Sequence, residues 1–234
     1  MTKIFIATPA YDGKVNVSYA VSLYNTCLEL VSNDISFQTQ INTSGSLLCA
    51  ERNRLVEAFW KSDCTHMLCI DADLGWPKEA VLKMIEADEE FVAGIYPSRK
   101  EPVFIFRPKV NENGSIVVNV EKQLLEMDYI PGGFMLLKRS AIEKMRNANP
   151  DLFFEPKHEK CKDQKGYYFF RTELFEGEFW GEDYVFCRVA RNSGVRIFVD
   201  PKIEFDHDGS RGMLLNVLTN ERPKDQKELE CKSS

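Results

Sequence analysis

The chain has 234 residues, a net charge of −6, 44% apolar residues and 12% aromatics. That apolar share supports a packed core and excludes a disordered chain. The negative balance excludes a general nucleic-acid binder, which needs a basic excess, although local clusters such as Arg99-Lys100 could contact anions.

Met1-Thr2-Lys3 runs directly into a short apolar stretch, too short for a signal-peptide core, and no apolar run could span a bilayer. Lys3 to Thr8 reads as a buried strand that ends in the loop Thr8-Pro9-Ala10-Tyr11-Asp12-Gly13. Tyr19 to Val31 has helical spacing, with Ala20, Leu23, Tyr24, Cys27, Leu28 and Val31 expected on or near one apolar face. Ile35 to Ile41 alternates as a strand. Ser46 is a plausible N-cap for a helix from Leu47 to about Trp60. His66 to Ile70 is the next strand, Pro77 suits the first turn of a helix to about Ala87, and Phe91 to Ile95 is another strand. This alternation predicts a parallel sheet covered by helices.

The second part has strands at Val103 to Phe106, Ser115 to Val120, Leu124 to Ile130 and Phe134 to Leu137, then a short helix from Ser140 to Arg146. Asp151 to Lys165 is polar and predicts a mobile loop. Tyr184 to Asn192 predicts a helix stopped by Gly194, and Val195 to Val199 a final strand. The charged tail from Arg222 is expected to fray. The expected layout is one α/β domain over residues 1–212, a nucleotide-binding half followed by an antiparallel-rich half, with a polar tail over 213–234. The seven cysteines form no CxxC pair, and Cys27, Cys49, Cys69 and Cys187 lie in apolar stretches. They read as reduced core thiols of an intracellular protein.

The chemistry concentrates at "HMLCIDADLGWP", residues 66–77. Asp71 and Asp73 leave the end of a buried strand one residue apart, and like charges this close raise each other's pKa unless a cation compensates. Ligands of open α/β sheets bind outside the carboxyl ends of the strands. A hard divalent cation, Mg²⁺ or Mn²⁺, takes carboxylate oxygens and keeps positions open for phosphate oxygens. The plainer alternative is that Asp71 caps a turn and Asp73 is solvated.

Five segments in order resemble the GT-A-fold glycosyltransferases, in particular small bacterial or viral family 2-like members. "CIDADLGWP" is similar to their DXD motif. "FIATPAYDG" resembles the first strand and base-binding loop, and "CAERNRLVEAF" the helix whose Arg-Asn pair approaches the nucleotide. "YIPGGFMLLKRSAIEKM" resembles the acceptor-side strand with paired glycines, and "FWGEDYVFCRVARNSGVRIFVDP" the segment with a Glu-Asp pair at a helix start. The resemblance covers residues 3 to 212. It implies an α/β GT-A fold (Rossmann-like) with a mixed central sheet and helices on both faces. It also implies transfer of a sugar from a nucleotide-sugar, UDP-sugar as the first expectation, to a glycan, lipid or protein hydroxyl.

Residue by residue, the resemblance implies a nucleotide pocket from Thr8, Pro9, Ala10 and Tyr11 with Arg52, Asp71 and Ala72. The metal, Mn²⁺ or Mg²⁺, would be held by Asp71, Asp73 and His207, with Asp206 or Asp208 as substitutes for the histidine. Asp183, with Glu182 beside it, would be the base of an inverting transfer. Gly132, Gly133 and Trp180 would face acceptor or sugar. Each has a structural alternative. His207 could sit in a surface turn, and the acids could serve a helix N-terminus. Arg52 could lie on a solvated face, Tyr11 could pack under its loop, the glycines could permit a bend, and Trp76 and Trp180 could be core. His66 reads as structural and His158 as solvated. Three other functions remain open at this point: a nucleotidyltransferase (without an evident Gly-rich phosphate loop), a phosphatase with a D-x-D site, and a non-catalytic carbohydrate-binding pseudo-transferase. The expected location is cytoplasmic, soluble or peripheral to a membrane, with neither a nucleic-acid partner nor a transmembrane segment.

Overall fold

The computed structural model describes residues 1–43, 45, 47–99, 103–158 and 165–219. The first part alternates as β1 (Lys3–Ala10), α1 (Val17–Ser32), β2 (Ser36–Thr43), α2 (Leu48–Lys61), β3 (His66–Ile70), β4 (Leu74–Gly75), α3 (Ala80–Glu86) and β5 (Phe91–Ala93). Short antiparallel pieces follow: β6 (Arg107–Pro108), β7 (Val118–Asn119), β8 (Leu124–Tyr129) and β9 (Phe134–Lys138), then α4 (Arg139–Ala148). A 3₁₀ turn at Pro150–Leu152 leads to β10 (Phe153–Phe154), β11 (Gly166–Tyr167), β12 (Glu173–Phe175) and β13 (Glu178–Trp180). The chain continues through α5 (Glu182–Asn192), β14 (Ile197–Val199), β15 (Glu204–His207), β16 (Ser210–Met213) and α6 (Leu214–Leu218).

The main sheet runs β2-β1-β3-β9-β5-β14-β8-β6, with β7 also on β8. β1 is parallel to β2 and β3, whereas β9 is antiparallel to both β3 and β5. Because strand side chains alternate between faces, β1 and β3 feed two cores. Ile4, Ile6, Leu68 and Ile70 pack with Tyr19 and Leu30 of α1 and Val81 and Met84 of α3. Phe5 and Met67 pack on the other face with Phe59 of α2, Ile142 and Met145 of α4, and Phe186 of α5. Helices therefore cover both faces of a mixed sheet.

Several expected elements change. The predicted apolar face of α1 meets the core only in part: Leu23 and Cys27 pack against it, Tyr24, Leu28 and Val31 are exposed, and Tyr19, Ser22, Thr26 and Leu30 are buried. Trp76 is the reason. Its backbone N–H donates to Ser22 Oγ and its indole N–H to Thr26 Oγ1, each at 2.9 Å, so two hydroxyls must face inward. Trp76 is thus a core residue. Pro77 precedes α3 in a turn closed by the Ala80 N–H on its carbonyl. The expected strand at Val103 to Phe106 is reduced to a bridge between Phe104 and Pro97, and that at Ser115 to Val120 to two residues and a Val110–Ile116 bridge. Within the expected loop from Asp151, Phe153 and Phe154 pair with Tyr167 and Gly166, and residues 159–164 lie outside the described residues. The β12–β13 hairpin turns through Glu176 and Gly177, both at positive φ, which suits its two-residue connection. β16 and α6 continue past residue 212, with Leu214 in the core. Ser46 and the tail from Arg222 lie outside the described residues.

Candidate active site

The site lies at the carboxyl edge of β1 and β3. Their parallel register, Ala7 opposite Cys69, brings the loop after β1 beside Asp71, and the Asn16 N–H donates to the Ala72 carbonyl at 2.8 Å. A cavity of about 500 Å³ opens there, walled by Pro9, Ala10, Tyr11 and Asp12 on one side, Asp71, Ala72 and Asp73 on the other, and Glu51 and Arg99 at its margins. Tyr11 is largely exposed in this wall. Thr8 is not part of it: its side chain is fully buried and hydrogen-bonded to the Tyr19 hydroxyl.

Asp71 faces inward. Arg52, 6% exposed on α2, donates through Nη2 to both carboxylate oxygens at 2.8 and 3.1 Å and through Nη1 to the Gly132 carbonyl at 2.6 Å. Burial raises the Asp71 carboxyl, and the Arg52 guanidinium opposes that rise. Burial alone would favour the neutral guanidine, but Asp71 keeps Arg52 charged. Arg52 is therefore on a buried face, behind Asp71. Gly132 and Gly133 make room for these protein groups. A Cβ on Gly132 would run into Arg52 Nη1, and one on Gly133 would run into the Tyr96 hydroxyl and stand 2.6 Å from Asp71 Oδ2. Tyr96 accepts the Gly133 N–H at 3.0 Å.

Asp73 is held from the surface side. The short strand β4 pairs with β15, placing His207 opposite Leu74 and so beside Asp73, with His207 Nε2 and Asp73 Oδ2 3.4 Å apart. His207 is 9% exposed and its Nδ1 lies 2.7 Å from the Pro97 carbonyl. That bond directs Nε2 at Asp73, the orientation that an outer carbonyl gives a metal-binding imidazole. Arg99 joins both: it pairs with Asp73 and its Nε donates to His207 Nε2 at 3.2 Å. Burial raises the Asp73 carboxyl, but His207 and Arg99 outweigh it and hold the group below its ordinary value. Burial lowers the His207 imidazole, but Asp73 and the Pro97 carbonyl outweigh it and raise the group.

A carboxylate and an imidazole this close are a donor set that suits Mn²⁺ or Mg²⁺, with the remaining positions left to phosphate oxygens and water. Among the described residues, no three His, Cys, Asp or Glu side chains converge closely enough to hold a metal ion. The expected triplet of Asp71, Asp73 and His207 therefore appears as a close pair, with both Asp71 oxygens turned to Arg52. Asp206 lies instead in β15, and Asp208 accepts from Asn16 at 3.1 Å.

Asp183 and Glu182 open α5, where the helix dipole favours acids. Asp183 Oδ1 accepts the Tyr184 N–H at 2.8 Å, and a Cβ on Gly132 would stand 3.1 Å from the Asp183 Cβ. Gly132 thus separates Arg52 from Asp183. Burial, reinforced by Glu182, raises the Asp183 carboxyl against the pull of Arg52. Trp180 belongs to an aromatic cluster, 5.0 Å edge-on to both Tyr129 and Phe175, with the Arg188 guanidinium 5.1 Å over its ring.

Arg99 and Tyr96 are the site residues that sequence reading does not place. Arg99 carries only the weak signal of a basic pair, and Tyr96 carries none. His66 is lowered to about 4, chiefly by burial, and the Cys69 thiol is pushed up to about 12 by burial, so neither offers reactive chemistry.

No family model and no curated protein sequence matches the chain. Among solved structures, the chain is similar to a mutant Drosophila β-1,4-galactosyltransferase 7 crystallised with manganese, UDP-Gal and xylobiose. The TM-score is 0.50 at 13% identity, over 99% of this chain and 78% of that one. The chain has a GT-A fold. A second likeness, to S. aureus TarS with UDP-GlcNAc, has a TM-score of 0.46 at 15% identity and covers 86% of this chain and 56% of that one. Identities this low speak to fold alone. Among the described residues, no helix is long and apolar enough to cross a membrane.

Proposed function

We propose that the protein is a metal-dependent glycosyltransferase that moves a sugar from a UDP-sugar to an acceptor hydroxyl with inversion. The reading rests on one observation. The cavity at the sheet edge has a nucleotide-sized wall, an oxygen- and nitrogen-donor pair, and, across Arg52 and Gly132, a half-buried carboxylate raised toward the range useful to a base.

In this reading the loop Pro9–Tyr11 receives the base, with Tyr11 stacking on it. Asp73 and His207, with Asp71 beside them, would hold the divalent ion, which would supply positive charge against the departing diphosphate. Arg52 fixes Asp71 and the Gly132 carbonyl, so the floor of the site does not reorganise during transfer. Arg99 is the mobile cation that exchanges Asp73 for a diphosphate oxygen. Asp183 takes the proton of the acceptor hydroxyl as that oxygen attacks the anomeric carbon and the bond to the diphosphate breaks. Its base form is lost as pH falls through its raised pKa, so the rate declines at a higher pH than an ordinary aspartate would dictate.

The first test is thermal unfolding with Mn²⁺ and a panel of nucleotides and nucleotide-sugars. A ligand at a hundredfold over its Kd adds about 2.7 kcal/mol, or roughly 5–10 °C for a chain of this size. Wild type is expected to shift with UDP compounds, and Asp73→Ala is not. If no nucleotide shifts wild type, or if Asp73→Ala shifts equally, the reading fails. Asp183→Asn should bind the donor normally yet lose about 10²–10⁴-fold in UDP release.

A further inference from the structure

Helix α1 carries five apolar residues on its outer side, spaced alternately four and three apart: Val17, Val21, Tyr24, Leu28 and Val31. Their exposures run from 51% at Leu28 to 80% at Val17. This is the a/d spacing of a heptad, here turned away from a core already met by Tyr19, Ser22, Thr26 and Leu30. Scattered exposed apolar residues are ordinary, but a continuous stripe four turns long marks a docking surface.

The composition around the stripe selects its occupant. α1 contains no Lys or Arg, so it lacks the cations with which a surface helix binds an anionic membrane. In the sequence of residues 220–234, eight of fifteen residues are charged and Leu229 is the sole large aliphatic, a poor match for five apolar positions. The stripe borders, Ser18, Ala20, Asn25, Cys27 and Ser32, are uncharged, so two copies meet without repulsion despite the net charge of −6. Glu29 is drawn aside to Lys78 at 3.2 Å.

The stripe also reads almost the same in both directions, Val-Val-Tyr-Leu-Val. In an antiparallel pair Val17 meets Val31 of the other copy, Val21 meets Leu28, and Tyr24 meets itself on the axis, which is the self-complementarity a two-fold interface requires. The five side chains expose on the order of 500 Å², so two copies bury roughly 1,000 Å², the lower bound for a specific interface. We propose that the protein forms an antiparallel two-fold dimer through α1. This does not depend on the transferase reading.

Sedimentation of the full chain from low to high micromolar concentration tests it. The mass should rise from 26.9 kDa toward twice that value. The double variant Val21→Glu/Leu28→Glu changes only exposed positions, so it should keep its circular dichroism and stay monomeric throughout. Under mild oxidation Tyr24→Cys should form a covalent dimer, and Val17→Cys should not, against a wild-type control for the native thiols. A wild type that stays monomeric overturns the proposal, as does a dimer that survives the double variant. Equal cross-linking of Val17→Cys and Tyr24→Cys overturns the antiparallel arrangement.

Discussion

Asp71 and Asp73 stand one residue apart, yet they belong to different regions of the molecule. Asp71 is held from inside, by a guanidinium 6% exposed that also bonds the Gly132 carbonyl. Asp73 is held from outside, by Arg99, whose side chain is 62% exposed, and by His207. Both carboxylates border the cavity, with side-chain exposures of 26% at Asp71 and 19% at Asp73. The difference lies in their partners: the guanidinium behind Asp71 is buried and cannot leave without opening the core, whereas the one beside Asp73 is exposed and can. A repeated acid on a strand end thus divides into one residue tied to the core through a buried cation and one tied to the surface through an exposed cation.

The largest expected effect comes from breaking the inner pair. Arg52→Ala leaves Asp71 charged, half-enclosed and unpartnered, and removal of one member of a buried pair typically costs about 3–5 kcal/mol. At roughly 2–4 °C per kcal/mol, the melting temperature should fall by about 6–20 °C. A fall under about 2 °C would show that the pair is solvated and that the inner–outer division is wrong.

Gly133→Ala probes the same wall with a smaller change. The new Cβ would meet the Tyr96 hydroxyl and Asp71 Oδ2, so the neighbours must shift, at about 1–3 kcal/mol. The same substitution at Gly114, which has open space but positive φ, isolates backbone strain from crowding. Gly133 itself is not at positive φ, so a loss there below about 1 kcal/mol would remove crowding as the reason for the glycine.

Asp183 provides the opposite sign. Its folded pKa is raised, so the stability contributed by the protonated form is present at low pH and is lost as pH rises through the folded value. At neutral pH the ionised group is therefore a burden on the fold. Asp183→Asn should change stability by less than about 1 kcal/mol, with the melting-temperature difference from wild type moving toward the variant as pH rises. A variant that loses activity and several kcal/mol together would point to a structural role.

These contrasts also explain what could be read from the sequence. The strands β1 and β3 were legible because buried parallel strands are nearly continuous apolar runs, and the acids follow directly from where β3 ends. The facing of α1 was legible only at Leu23 and Cys27, because Ser22 and Thr26 turn inward for Trp76, fifty and more residues away in sequence. The β4–β15 pairing was hidden for the same reason: a two-residue strand has no periodicity, yet its register sets His207 beside Asp73. His207 and Asp183 were reached by resemblance to a family pattern, whereas Arg99 and Tyr96 needed the fold. What local spacing encodes was readable. What a distant partner dictates was not.

The smallest expected effect on stability is at the outer pair, where it sharpens the division most. Arg99 is exposed, so its ion pair with Asp73 contributes at most about 1 kcal/mol, and Arg99→Ala should leave the melting temperature almost unchanged. Its guanidinium nevertheless stands against the same Asp73 oxygen and the same His207 nitrogen that a divalent ion would use. Removing it should strengthen binding of Mn²⁺ alone, measured by calorimetry, because the ion no longer competes with a resident cation. Binding of UDP with Mn²⁺ should weaken, because the displaced guanidinium would otherwise meet the diphosphate. Opposite signs for the two ligands are the signature of an exchanging cation. If Arg99→Ala weakens both, Arg99 supports the donor pair instead of competing for it, and the outer carboxylate is as fixed as the inner one.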